Sequence, residues 1–281
     1  MAALDITVMG GEDLARAADW AAAEGWNPGL LDMVAFQAAD PQGFLVARLG
    51  AEPVSCISVV RYGSDFGFLG FYLATPDVRG KGYGLAVWKA GMAHLAGRNV
   101  GLDGVPAQQE NYKRSGFRLA WRNIRYQGRL PTGPAASGGT ISDARSLSFE
   151  KLAAYDRRFF PAPRDSFLSV WLGLPGHVSV AALRGGEIAG LAVMRPCRSA
   201  LKIGPLYADD DEVARGLIGH LASRAGGAEV ALDVTERNKA AVRLAEELGL
   251  KPAFETARMY TGPEPKIDLA RLYGVTTFEL G

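Results

Sequence analysis

Val78-Arg79-Gly80-Lys81-Gly82-Tyr83-Gly84 is a basic, glycine-rich turn set between two apolar segments. Phe66–Ala74 leads into it as a strand, and Leu85, Trp88, Met92 and Leu95 follow at helical spacing. Strand, glycine-rich turn and helix aim backbone N–H groups at a phosphate. Gly80, Gly82 and Gly84 let the main chain turn sharply and approach a bulky anion, while Arg79 and Lys81 add charge. The segment is neither a P-loop, since no Lys-Ser/Thr ends it, nor a dinucleotide fingerprint, whose glycine spacing differs.

A buried strand, Val100–Gly104, comes next, and then Glu110-Asn111-Tyr112-Lys113-Arg114-Ser115-Gly116-Phe117. The glycine turn fits Arg-x-x-Gly-x-Gly, and the second segment sets a tyrosine four residues before Gly-Phe, one strand later. In this order the two motifs resemble the GCN5-related N-acetyltransferases (GNAT superfamily), over roughly residues 40 to 126.

The bulk properties narrow the field. The 281 residues, 48% hydrophobic, suffice for one large core or two ordinary ones. A net charge of +1 gives no electrostatic footprint for nucleic acid or an anionic membrane. No apolar run reaches the ~20 residues of a membrane span, and no basic segment precedes the first apolar stretch as in a signal peptide. Cys56 and Cys197 lack metal-ligand spacing, as do His94, His177 and His220, so no metal is expected. Two unpaired thiols suit a reducing cytoplasm.

The chain repeats its own grammar around Leu130–Gly139, a Pro/Gly/Ser-rich stretch read as a linker at 131–139 between domains at 1–130 and 140–281. Hairpins Phe44–Leu49/Val54–Tyr62 and His177–Leu183/Ile188–Arg195 correspond. Leu201–Tyr207 then parallels Phe66–Ala74, and Glu229–Val234 parallels Val100–Gly104. The implied class is α/β (α+β), two tandem folds of a mixed, mainly antiparallel sheet flanked by helices. The second copy has Ala208-Asp209-Asp210-Asp211 where the first has its glycine turn, and Ala245 in place of Tyr112. Acids there would repel a phosphate, so the second domain is expected to shape the first domain's substrate pocket. Gly274–Leu280 is predicted as a strand. Arg164 precedes a helix capped by Asp165 or Ser166, and is a candidate for reaching the coenzyme.

The resemblance implies acetyl-CoA as co-substrate, no metal, and direct transfer of an acetyl group to a primary amine of a small molecule. It implies that Val78, Arg79, Gly80, Lys81, Gly82, Tyr83 and Gly84 hold the pyrophosphate, and that Phe71, Tyr72 and Leu73 line the pantetheine beside a strand bulge. Tyr112 is implied as general acid, with Asn111 and Lys113 near the coenzyme. Asp103 is the chosen general base, ahead of Glu110 and Asp65. Trp26, Asn27 and Asp32, with Tyr207, Asp233 and Tyr260 from the second half, are candidate acceptor contacts. Gly25–Gly29, Gly204–Asp209 and Ala257–Gly262 further resemble the bacterial two-domain YitH-like branch. A coenzyme-binding sensor and a protein acetyltransferase are the competing readings, and a monomer or homodimer is expected.

Overall fold

In the computed structural model, which describes residues 3–131 and 139–281, the motifs fall on alternating strands and helices. The first half runs β1 (Leu4–Val8), α1 (Gly11–Ala23), α2 (Asp32–Ala39), β2 (Phe44–Leu49), β3 (Glu52–Tyr62), β4 (Phe66–Ala74), α3 (Tyr83–His94), β5 (Asn99–Gly104), α4 (Gln109–Arg114) and β6 (Arg118–Arg129). The second runs β7 (Thr140–Asp143), α5 (Phe149–Asp156), α6 (Asp165–Gly173), β8 (Val178–Arg184), β9 (Glu187–Pro196), β10 (Leu201–Ala208), α7 (Asp211–Ala225), β11 (Glu229–Thr235), α8 (Lys239–Glu247), β12 (Lys251–Tyr260) and β13 (Leu272–Gly274). Residues 132–138 of the expected linker lie outside the described residues.

The strands form one mainly antiparallel sheet, ordered β1-β2-β3-β4-β5-β12-β6-β11-β10-β9-β8-β7, with β13 against β10. Its parallel pairs, β4–β5 and β10–β11, occupy equivalent places in the two halves. The repeat extends to turn geometry: Phe117 N–H donates to the Tyr112 carbonyl, and Leu250 N–H to the Ala245 carbonyl, both at 3.1 Å. Gly116 and Gly249 supply the left-handed residue that ends each helix.

The halves exchange their last long strand. β12, from the second half, pairs with β5, and β6, from the first, pairs with β11. The sequence boundary at residue 130 is therefore crossed in space by both strands. The helices also interlock, because α2 packs on α6 through Phe36, whose ring lies 6.1 Å from Trp171 and 6.4 Å from Phe167.

The predicted C-terminal strand is corrected. β13 stops at Gly274, and residues 275–281 are buried without strand structure. β10 and β11 pair only over Leu201–Ile203 and Val230–Leu232, and then β13 and the tail fill the gap. Val275 N–H donates to the Asp233 carbonyl at 2.9 Å. Two glycines admit the tail: a Cβ on Gly204 would stand 2.4 Å from the Thr276 carbonyl oxygen, and one on Gly70 2.2 Å from that of Glu279. Arg164, read as a coenzyme contact, instead donates to Asp156, to Thr276 Oγ1 at 2.8 Å and to the Gly281 carbonyl at 3.0 Å. Burial of Val275, Phe278 and Leu280 stabilises this docking by roughly 1.5–3 kcal/mol per side chain.

Candidate active site

The site begins where β4 leaves β5. The two pair in parallel only from Phe66/Asn99 to Leu69/Leu102. The β3–β4 register then slips by one residue between Cys56/Leu73 and Ser58/Gly70, a bulge in β4. Phe71, within it, holds φ +44°, the left-handed region that is costly for a bulky residue. Beyond the bulge, the edges of Gly70–Leu73 and Asp103–Gly104 face each other without pairing. A V-shaped gap lined with unpaired backbone groups results.

A groove of about 520 Å³ occupies the outer part of this gap. Its floor includes Tyr72, Leu73, Val78, Arg79, Gly80, Gly82, Gly84 and Gln108. α3 starts from Gly82 at φ +89° with no side-chain cap. Among the described residues, no acceptor meets the amides of Gly82, Tyr83, Gly84 and Leu85. Four orphan N–H groups at the positive end of a helix, opening on a groove, are the arrangement of donors that suits an anion. Gly80 and Gly82 both have positive φ and open space where a Cβ would be. Arg79 pairs with Glu24 and donates to the Ala74 carbonyl at 3.1 Å, and Lys81 is exposed.

The equivalent point in the second half is closed. Asp210 caps α7 by accepting from Val213 N–H at 3.0 Å, and itself pairs with Arg184. The capping carboxylate takes the place an anion would occupy, and the tail takes the strand gap.

Inward from the groove lies a smaller, half-enclosed chamber of about 40 Å³. Trp26, Tyr72, Val105 and Tyr112 line both spaces and so form the passage between them. Leu69, Phe71, Leu102, Phe254 and Phe278 make the chamber wall apolar, and Asp103, Thr256 and Glu279 are the charged or hydroxyl-bearing residues that line it. Tyr112 stands at the passage, stacked 5.7 Å from Trp88, whose other neighbour is Tyr72 at 5.0 Å. The Tyr112 ring covers Gly104, where a Cβ would fall 2.2 Å from it. Burial, with the nearby Tyr72, pushes the Tyr112 phenol above its ordinary 10.0. The ring is a protonated donor at neutral pH.

Several expected site residues are engaged by other partners or lie elsewhere. Asp103 lines the chamber, but its carboxylate is taken by Arg258 at 2.5 and 2.9 Å and by Asn123 Nδ2 at 2.8 Å. Asp32 pairs with Arg195 at 2.9 Å and accepts from Gly29 N–H. Asp233 meets Arg125 at 2.7 and 2.8 Å; burial alone would raise its pKa, and the guanidinium reverses this to a net lowering. Each of these acids is one half of a buried ion pair joining the two halves of the chain. Tyr207 is buried against Arg164 and Thr276, and Tyr260 against Arg258. Asn27 accepts from Ser199 N–H at 3.0 Å at the surface. Asn111 and Lys113 are on the outer face of α4, bonded to Gln108 and Glu110, so Glu110 is likewise engaged. Asp65 lies in the turn before β4, its carbonyl accepting from Asn99 N–H.

Trp26 is fixed by two buried cations, since its carbonyl accepts from Arg125 at 2.9 Å and Lys202 at 3.2 Å. Residue-by-residue reading missed Glu279. It is 3% exposed, it lines the chamber, and no donor meets its Oε2. Only its charge within an apolar alternation marks it in the sequence.

Among the described residues no group of three or more His, Cys, Asp or Glu is placed to hold a metal, and no helix is long and apolar enough to cross a membrane.

Known proteins share this architecture. Residues 12–117 match the acetyltransferase (GNAT) family, and residues 152–274 an acetyltransferase (GNAT) domain. The chain is 31% identical over 264 residues to the holothin acyltransferase of Pseudoalteromonas sp. (strain SANK 73390), covering 94% of this chain and 90% of that protein. A Pyrococcus horikoshii structure provisionally described as an acetyltransferase superposes with TM-score 0.83 at 21% identity, over 99% of this chain and 96% of that one. A tandem GNAT protein from the clavulanic acid biosynthesis pathway gives 0.64 at 15% identity, over 93% and 100% of the two chains.

Proposed function

The chain belongs to the GNAT family of acyltransferases, and on that premise we propose that it transfers an acetyl group from acetyl-CoA directly to a primary amine of a small molecule. The observation that carries this reading is the uncapped start of α3, opening on a groove that runs from Gly82 to Tyr112.

The amides of Gly82, Tyr83, Gly84 and Leu85 would hold the pyrophosphate. The unpaired edge of Gly70–Leu73 would receive the pantetheine as an added strand, and an amide of that edge would donate to the thioester oxygen as it gains charge. Tyr112, at the passage, would give its phenolic proton to the departing sulfur. A bound thioester would thus present its carbonyl where groove and chamber meet.

The tandem arrangement supports a small acceptor. Phe254, Phe278 and Glu279 of the second half close the chamber side, leaving too little room for a folded protein's backbone. The stretches Gly25–Gly29, Gly204–Asp209 and Ala257–Gly262, which carry the YitH-like resemblance, supply Trp26, the slot for the tail and the strand bearing Arg258. That finer kinship fits a pocket built by both halves.

Release of free CoA thiol tests the reading. Supplying acetyl-CoA with a mixed panel of primary amines is expected to liberate thiol with at least one of them. Tight acetyl-CoA binding without thiol release from any would favour a sensor.

A further inference from the structure

We propose that the inner chamber is the acceptor site and that Glu279, carried by the tail of the second half, binds the acceptor's amine there and takes its proton. This rests on the acetyl-transfer reading for its catalytic part only.

The carboxylate needs an explanation. A buried charge without a donor is costly, so it persists where function or a partner requires it. Among the described residues every other acid of the interior is paired: Asp32 with Arg195, Asp40 with Arg61, Asp103 with Arg258, Asp156 with Arg164 and Asp233 with Arg125. Glu279 Oε2 has none, although the chain spends Arg125 and Lys202 on the Trp26 carbonyl nearby. Those two cations and Arg195 feel the Glu279 charge without contacting it, and so offset it from a second layer. A cation entering the chamber would bring a donor to this carboxylate.

The tail is held to place this group. Gly70 and Gly204 leave room for its backbone, Arg164 ties Thr276 and Gly281, and Tyr62 donates to the Leu280 carbonyl at 3.2 Å. Arg125 stacks beneath Phe278 with its guanidinium 5.0 Å from the ring centroid. Glu279 is thereby set across the β4 bulge, on the far side of the passage from the phosphate cradle.

The walls define the ligand. About 40 Å³ of space with aromatic walls takes the amine-bearing end of a molecule, not a large body. No cationic side chain of the lining would receive an acceptor's carboxylate, and Glu279 would repel one. The class is an unbranched primary amine on an apolar or aromatic body. In the transfer, the Glu279 carboxylate first takes one proton from the bound ammonium and releases it to solvent; the lone pair so freed forms the C–N bond and the carbonyl pair moves to oxygen. The C–S bond then breaks as the carbonyl re-forms, sulfur takes the Tyr112 proton, and the nitrogen's proton passes to the Glu279 carboxylate. Exchange of that proton to the Tyr112 phenolate through water restores both groups.

Phenethylamine and its neutral counterpart phenethyl alcohol serve as probes with the full chain and Glu279→Gln. Wild type is expected to bind the amine at least tenfold more tightly than the alcohol by calorimetry. Glu279→Gln should lose that preference and about 100-fold in kcat/KM for thiol release, with acetyl-CoA affinity unchanged. Its Tm should be no lower, because the neutral amide has less to lose by burial. Glu279→Asp, which keeps the charge, should recover part of the amine preference if Glu279→Gln fails to fold. Glu279-dependent amine binding without thiol release would retain the site and refute acetyl transfer. Equal binding of amine and alcohol by wild type, or full activity in Glu279→Gln, would overturn the proposal.

Discussion

Tyr112 is held by what surrounds it rather than by hydrogen bonds. Trp88 stacks on one side, and Gly104 gives it a surface that any side chain would occupy. Its phenol lies above 10.0, so the acid form survives through neutral and mildly alkaline conditions. Loss of this proton therefore contributes no fall in kcat as pH rises towards 10. Tyr112→Phe is expected to lower kcat by about 100-fold or more while leaving acetyl-CoA affinity within twofold, measured by thiol release and calorimetry. An unchanged kcat would remove the acid role. The carboxylates were harder to read than the tyrosine. Asp32, Asp103 and Asp233 are acids near strand ends or loops, which in isolation look like site residues. Their arginines stand 163, 155 and 108 residues away, a distance over which local pattern carries no information.

Strands and helices with strong periodicity were legible, and β2 and β4 match their expected limits at both ends. What eluded sequence was how equivalent elements choose partners. β6 and β12 are long, similar strands at the ends of two copies of one pattern, and either pairing with β5 satisfies the same alternation. The alternation of Thr276, Thr277, Phe278, Glu279 and Leu280 likewise suggests a strand, but the segment runs between the halves and is pinned by Arg164, Tyr62 and two glycines. This tail acts as one element. Gly70→Ala would set a Cβ 2.2 Å from the Glu279 carbonyl oxygen. It is expected to cost about 1–3 kcal/mol, to expose residues 275–281 to hydrogen exchange and to depress turnover. Protection of the tail equal to wild type would contradict this account of its docking.

At the scale of the molecule, two GNAT folds share one sheet. The first keeps an open helix start and an open strand gap. The second has filled both, the first with the Asp210 cap and the second with β13 and the tail, and it sends Phe254, Phe278 and Glu279 into its neighbour. In the sequence, Asp209-Asp210-Asp211 in place of glycines argues against a second phosphate site, and in the structure Asp210 is the cap of α7. The plug was not legible, since no local motif encodes a chain filling its own cleft. The central claim is that one phosphate cradle exists, at Gly82. Calorimetric titration with acetyl-CoA of wild type and Gly82→Asp, both checked for equal Tm, tests it most directly. One site per chain is expected for wild type, with at least tenfold weaker binding in the variant, whose carboxylate faces the phosphates. Unchanged affinity in Gly82→Asp, or two equivalent sites per chain in wild type, would contradict it.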